Sequence, residues 1–251
     1  MIAAVVLAAG QSRRMGELKQ LLPLGSRRVI EWVIIALAEA GLDEIVVVTG
    51  HRHEEVEEAA MASLSPRPDH PRQSEGEQRG GPEIRCVFNP DYIAGEMLSS
   101  IQVGLRALES PGPHSALTGR PPPLCGGGRG WGLLNNEVDA ALLVLGDQPQ
   151  LQPTVVRAIC RACEEDGSRH IYIPTCEGRR GHPICLPRPF WEGVLALPWT
   201  ATLRDFLRQH PDDVMEVPVE TPSIWRDMDT REDYESLRET FIRSEDEHHL
   251  S

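Results

Sequence analysis

Val5 to Gly25 reads VVLAAGQSRRMGELKQLLPLG, and the reading of this stretch decides the fold. Together with the residues before it, it gives an unbroken apolar run from Ile2 to Leu7. Such a run fits a strand buried on both faces, as in a parallel sheet covered by helices. A loop holding Gly10, Ser12, Arg13, Arg14, Gly16 and Lys19 follows at once. Glycine lets the backbone approach an anion closely, and successive N–H groups can then point at phosphate oxygens. Arg14 can fork onto two oxygens, while Lys19 acts as a point charge. The plain alternative is an ordinary strand-to-helix loop with solvated cations. It leaves two glycines and three cations directly after a buried strand without a role. The spacing is neither the G-x-x-x-x-G-K-[ST] phosphate loop nor the G-x-G-x-x-G dinucleotide turn.

Outward from this loop, strand-like and helix-like segments alternate. Val29 to Ala40 has helical periodicity and stops at Gly41, and Glu44 to Thr49 reads as a strand. Glu54 to Leu64 is helical, Ile84 to Phe88 a strand and Ser99 to Leu108 a helix. Ala140 to Leu145 (AALLVL) is another buried strand, and Pro153 to Asp166 a helix with proline at its start. Ile171 to Pro174 and Pro183 to Leu186 read as short strands, and Thr202 to Gln209 and Arg231 to Phe241 as helices. The alternation predicts an α/β fold: a mostly parallel, Rossmann-like sheet with helices on both faces. Ligands in such sheets sit at the carboxyl ends of the strands.

Ser65 to Pro82 and Ser110 to Asn136 are polar and rich in Pro and Gly. They read as flexible insertions at about 65–82 and 110–136 of one domain spanning 1–243, with 244–251 as a flexible tail. At 251 residues a single α/β domain is the simplest division. The formal net charge of -13 argues against wrapping nucleic acid or binding an anionic membrane. The opening MIAAVVLAAG lacks the positively charged start of a signal peptide, and no apolar stretch is long enough to span a bilayer. Six scattered cysteines make no disulfide framework, and Cys160 and Cys163 lack a second pair for a zinc site. Plain thiols and a cytoplasmic location are therefore expected.

Four further segments carry chemistry. In Val144 to Pro149 (VLGDQP), Asp147 follows a buried strand, at the edge where a carboxylate can hold Mg²⁺ against phosphate oxygens. An N-cap for the helix from Pro153 is the alternative, for which Asp147 lies early. In Arg226 to Tyr234 (RDMDTREDY), alternation along an extended segment puts Asp227 and Asp229 on one side, with Asp229 the stronger ligand candidate. Asp229 or Thr230 can equally cap the last helix. Asn89-Pro90, followed by Gly95 to Ile101, gives a turn into a helix whose N-terminus favours anions, with Ser99 as cap. In Arg179 to Pro183, Gly181 permits close approach and Arg180 can meet a phosphate, while His182 before proline is read as structural rather than as a base.

Leu7 to Lys19, L-A-A-G-x-S-x-R-M-G-x-x-K in pattern, resembles the signature of the MobA-like NTP transferases that act in molybdenum cofactor maturation. The Ala8-Ala9-Gly10 form, followed by Lys19-Gln20-Leu21-Leu22-Pro23, is similar to the cytidylyltransferase branch, whereas the guanylyltransferase branch typically shows Ala-Gly-Gly. The later segments resemble the family too, with departures at Glu96, Leu98 and Arg231. The resemblance implies a nucleotide-diphospho-sugar transferase-like fold and transfer of CMP from CTP to molybdopterin-type cofactor, with release of pyrophosphate. It implies Leu7, Ala8, Ala9, Gly10, Ser12, Arg14, Lys19, Asn89 and Ser99 around the nucleotide, with Lys19, Arg14 and Asp147 catalytic. Asp147, Asp229 and Asp227 would hold Mg²⁺, and Arg180, Gly181 and His182 would face the acceptor. Guanylyl transfer, a sugar- or alditol-phosphate acceptor, and a non-enzymatic carrier serving a molybdenum oxidoreductase are the alternatives. Lys19, Asp147 and Asp229 together favour the enzyme, since a carrier needs no metal–triphosphate site.

Overall fold

A computed structural model of the chain describes residues 1–12, 15–65, 81–94, 96–109, 138–226 and 228–249. Arg14, Asp227, nearly all of the first expected insertion and the whole of the second lie outside the described residues. The strands are β1 (Ile2–Ala8), β2 (Pro23–Leu24), β3 (Arg27–Arg28), β4 (Glu44–Thr49), β5 (Glu83–Phe88), β6 (Ala140–Leu145), β7 (Ile171–Cys176), β8 (Arg179–Arg180), β9 (Ile184–Pro187) and β10 (Val214–Pro218). The helices are α1 (Val29–Ala40), α2 (His53–Ala62), α3 (Glu96–Glu109), α4 (Pro153–Glu165), α5 (Trp191–Leu195), α6 (Leu203–Gln209) and α7 (Arg231–His249).

The main sheet runs in the order β10-β7-β9-β6-β1-β4-β5, with β8 beside β7. Strand β1 is parallel to β4 and β6, and β4 to β5. Strand β9 runs against both β6 and β7, so β7 and its parallel neighbour β10 share the direction of β1. Only the short β8 and β9 run the other way, and the sheet is mostly parallel as the alternation predicts.

Every residue of β1 is buried. Its even-numbered side chains, Ile2, Ala4, Val6 and Ala8, enter one core with α1, α2 and α4. Its odd-numbered ones, Ala3, Val5 and Leu7, enter a second core with α3, α5 and α6. That period of two is the physical reason the run is continuously apolar. The second face needs a small residue at Gly104, where an added Cβ would lie 2.3 Å from Val5 Cγ1. A third, smaller cluster joins the β2–β3 hairpin to α7 through Leu22, Leu24, Val29 and Met228. The Tyr234 hydroxyl donates to the Pro23 carbonyl there, and Phe241 lies against Trp32.

Two expectations about helices change. Helix α3 begins at Glu96, three residues before the expected cap Ser99, because the Ser99 hydroxyl is turned inward to a buried asparagine. Helix α7 runs past Phe241 to His249, through most of the expected tail. Strand β10 and the β2–β3 hairpin are additional to the expected elements. Among the described residues no helix is long and apolar enough to cross a membrane.

Candidate active site

Strand order reverses at β1, with β4 on one side and β6 on the other, and ligands of open α/β sheets sit at such switch points. The carboxyl ends of β1 and β6 are locked together by the Gly146 N–H donating to the Leu7 carbonyl at 3.0 Å. A Cβ at Gly146 would come within 3.0 Å of that oxygen, so glycine lets β6 turn out immediately and present Asp147.

The loop after β1 delivers Lys19 to the same point. Ser12 adopts a left-handed conformation (φ 48°), and its hydroxyl accepts the Lys19 N–H at 2.9 Å. The Lys19–Leu21 turn of 3₁₀ helix follows, and it holds the Lys19 side chain at 10% exposure. The Lys19 ammonium donates to Asp229 Oδ1 at 2.6 Å and lies 3.5 Å from Asp147 Oδ2. Residues 19, 147 and 229 thus meet at one atom. Capping of α7 does not draw on the Asp229 carboxylate. The Thr230 hydroxyl accepts the Asp233 N–H, and Asp233 accepts from the Asp229 and Thr230 N–H groups. The Thr230 hydroxyl and these N–H bonds hold the Asp233 carboxyl below its ordinary value. Likewise the residue before α4 is Gln152, and Asp147 takes no part in capping that helix.

A cavity of about 350 Å³ opens beside this cluster, lined by Leu7, Ala9, Gly10, Gln20, Tyr92, Met97, Ser100, Leu145, Asp147 and Asp229. Gly50 brings its walls together. A Cβ there would lie 2.7 Å from the Ala9 carbonyl and 2.8 Å from Tyr92 Cβ. Asn89 is wholly buried behind the wall rather than in it. Its amide donates to the Ser99 and Ser100 hydroxyls at 2.9 and 3.0 Å, and its oxygen accepts the Asp91 N–H. Ala8 is buried beneath the loop. Of the residues expected around a nucleotide, Leu7, Ala9 and Gly10 line the cavity, Ser12 fixes Lys19, and Asn89 and Ser99 brace the far wall. Gln20, Tyr92, Met97, Ser100 and Leu145 were not expected. Their signal was position, since they lie close after or at the carboxyl ends of β1, β5 and β6.

The antiparallel register pairing Leu143 with Ile184 carries His182 and Pro183, joined by a cis peptide bond, toward the carboxyl end of β6. Gly181 is pressed against the backbone of Ile224, and the His182 N–H donates to the Ile224 carbonyl at 2.8 Å. Arg180 pairs with Glu216 at 2.8 Å on the surface, and the Arg179 guanidinium lies 4.1 Å over the Trp225 ring. A larger open hollow of about 550 Å³ lies at the amino end of β6, lined by Asp139, Gly167, Ser168, Arg188 and Pro189. Asp139 there pairs with the α-amino group of Met1, and the hollow lies away from the Lys19 cluster.

The donor chemistry suits a hard divalent cation. Two carboxylates already converge on a positive charge, that of Lys19. Among the described residues no cluster of three or more metal-binding side chains occurs. A site of one or two carboxylates, completed by substrate phosphates, is the usual arrangement for Mg²⁺.

The family model for the MobA-like NTP transferase domain matches residues 4–214. The molybdenum cofactor cytidylyltransferase of Escherichia coli (strain K12) is 25% identical over 240 residues, which cover 96% of this chain and 97% of that protein. A nucleotidyl transferase from Methanothermobacter thermautotroptrophicus superposes with a TM-score of 0.66 at 25% identity, covering 97% of this chain and 99% of its own. Molybdopterin-guanine dinucleotide biosynthesis protein A from Archaeoglobus fulgidus shares the fold, with a TM-score of 0.56 at 16% identity over 96% of this chain and 98% of its own.

Proposed function

The chain belongs to the MobA-like NTP transferase domain family, and from that premise we propose that it is a cytoplasmic cytidylyltransferase, moving CMP from CTP to the phosphate of a molybdopterin-type molybdenum cofactor. The observation that carries this reading is the meeting of Lys19, Asp147 and Asp229 beside the cavity that Ala9 and Gly10 line. The full-length relation to the Escherichia coli cytidylyltransferase, together with the Ala8-Ala9-Gly10 sequence, favours cytosine over guanine.

In this reaction an acceptor phosphate oxygen forms a bond to the α-phosphorus of CTP. The bond from that phosphorus to the oxygen bridging to the β-phosphate breaks, and pyrophosphate leaves with the electron pair. A phosphate nucleophile is already ionised near neutral pH, so no protein base has to act on it. The barrier lies in bringing two polyanions together in line. Lys19 contributes a fixed positive charge against the triphosphate. Asp147 and Asp229 would hold Mg²⁺, which when bound neutralises phosphate oxygens and the departing pyrophosphate. Ala9 and Gly10 on one wall, with Tyr92 and Met97 on the other, leave a slot for the nucleoside. Arg180, Gly181 and His182 would face the acceptor, and the packing of Gly181 against Ile224 holds this segment in place.

Calorimetric titration of CTP and then GTP in the presence of Mg²⁺ tests the reading. CTP should bind, and Asp147→Ala should weaken binding and abolish pyrophosphate release in the presence of the acceptor. Preferential GTP binding would move the protein to the guanylyl reaction. Turnover within a few-fold of wild type in Asp147→Ala would remove the site assignment.

A further inference from the structure

We infer that Lys19 is the resident counter-ion of the Asp147–Asp229 pair, and that a divalent cation gains those carboxylates only when a triphosphate has drawn the Lys19 ammonium off them. The inference rests on the nucleotidyltransferase reading and adds an order of events to it. Lys19 Nζ is 2.6 Å from Asp229 Oδ1, the length of a charge-assisted hydrogen bond, and 3.5 Å from Asp147 Oδ2. An ammonium has three donors and no acceptor, so it holds Asp229 Oδ1 and sets a positive charge beside Asp147 Oδ2, against which a divalent ion must compete. With Lys19 in place, an incoming divalent ion would put three positive charges against two carboxylates in a partly dry site. Among the described residues, Asp233 of the same segment has one carboxylate oxygen engaged by the N–H groups of Asp229 and Thr230.

Leaving the pair empty is equally unfavourable. Without Lys19 two like charges would face each other, Asp147 partly buried and Asp229 exposed, with no ammonium between them. The site is therefore built for exchange rather than vacancy. The Lys19 backbone is pinned by the Ser12 hydroxyl, so only its flexible stem has to swing. A triphosphate in the adjoining cavity offers the ammonium new oxygens, and the same phosphates supply the ligands that two carboxylates lack. Nucleotide and metal then raise each other's affinity, and by linkage the effect is reciprocal.

Titration of the full chain with Mn²⁺ alone, following unbound ion by electron paramagnetic resonance, reads this without turnover. Nucleotide-free wild type should bind Mn²⁺ weakly, and Lys19→Met at least ten-fold more tightly. Lys19→Arg, which keeps the charge, should stay within a few-fold of wild type, and Lys19→Gln provides a second neutral variant should Lys19→Met fail to fold. Adding Asp147→Asn to Lys19→Met should remove the gain. With CTP present, wild type should bind Mn²⁺ tightly. The inference is overturned if nucleotide-free wild type binds Mn²⁺ as tightly as the neutral variants, or if the gain survives Asp147→Asn. Either result leaves the nucleotidyltransferase reading standing, whereas failure of wild type to bind CTP at any metal concentration strikes that reading itself.

Discussion

Gly181→Ala places a methyl group where the backbone of another segment already lies. The new Cβ would sit 2.1 Å from the Ile224 carbonyl oxygen, 2.6 Å from its carbon and 2.8 Å from Ile224 Cβ. Ordinary carbon contacts need about 3.5–4.0 Å, so the two segments must part by an ångström or more. The obstacle is main chain, and no rotamer change relieves it. Parting them also threatens two hydrogen bonds, from the His182 N–H to Ile224 and from the Gly181 N–H to Pro174. Overpacking strain of about 1–3 kcal/mol and about 0.5–1.5 kcal/mol for each bond give a loss of about 2–6 kcal/mol. For a chain of this size, at about 2–4 °C per kcal/mol, the melting midpoint should fall by roughly 4–24 °C in a calorimetric scan. Because Ile224 leads into the segment that carries Asp229, turnover measured well below the midpoint should fall as well. A variant melting within about 1 °C of wild type would show that the close approach is not a requirement of the fold, and the argument from Gly181 would fail.

Other perturbations separate the parts of the site. Asn89→Ala removes the amide that joins Ser99, Ser100 and the Asp91 N–H behind the cavity wall. With the penalty for stranded buried polar groups included, it should cost about 2–4 kcal/mol in urea denaturation and raise the KM for nucleotide. Arg180→Ala breaks an exposed pair with Glu216. It should change stability by less than about 1 kcal/mol while raising the KM for the acceptor several-fold and leaving CTP affinity alone; unchanged acceptor kinetics would remove Arg180 from that side of the site. The Asp166 carboxyl, which accepts from the Tyr172 hydroxyl and the His170 ring, is lowered from 3.8 to about 2. Its contribution to stability is present above pH 3.8 and is lost as pH falls through about 2. Asp166→Asn should therefore flatten the acid limb of a stability–pH curve in that window, and an unaltered limb would contradict the assignment.

What the sequence disclosed follows from the range of the forces involved. The strands Glu44–Thr49 and Ala140–Leu145 and the helix Val29–Ala40 have the predicted bounds, since burial on both faces or one apolar stripe ending in a left-handed glycine leaves a local pattern. Strand β10 escaped because it borders only β7, leaves its residues partly exposed, and so has no continuous apolar run. The reversed direction of β9 was equally hidden, because a short apolar run carries no record of strand polarity, which its pairing with β6 and β7 settles. At the site, Asp147 and Lys19 were legible from their place after buried strands, and Asp229 from its motif. Their convergence on one site was expected only from the family resemblance, since no local rule relates residues 19, 147 and 229. The walls built by Tyr92, Met97 and Gln20 were missed for a related reason. Each is unremarkable in its own segment, and only the closeness that Gly50 allows turns Tyr92 toward the β1 loop.

The strapping of α7 across the β2–β3 hairpin has a consequence for the life of the chain on the ribosome. Sheet strands, all but one of the residues that line the cavity, and the first carboxylate precede residue 220. A nascent chain halted there already has the makings of a nucleotide pocket but no second carboxylate to face Lys19. Asp229, and the helix that fastens its segment through Tyr234 and Phe241, emerge last. Completion of the carboxylate pair thus waits on the synthesis of α7 and the segment before it, which follow every strand of the sheet.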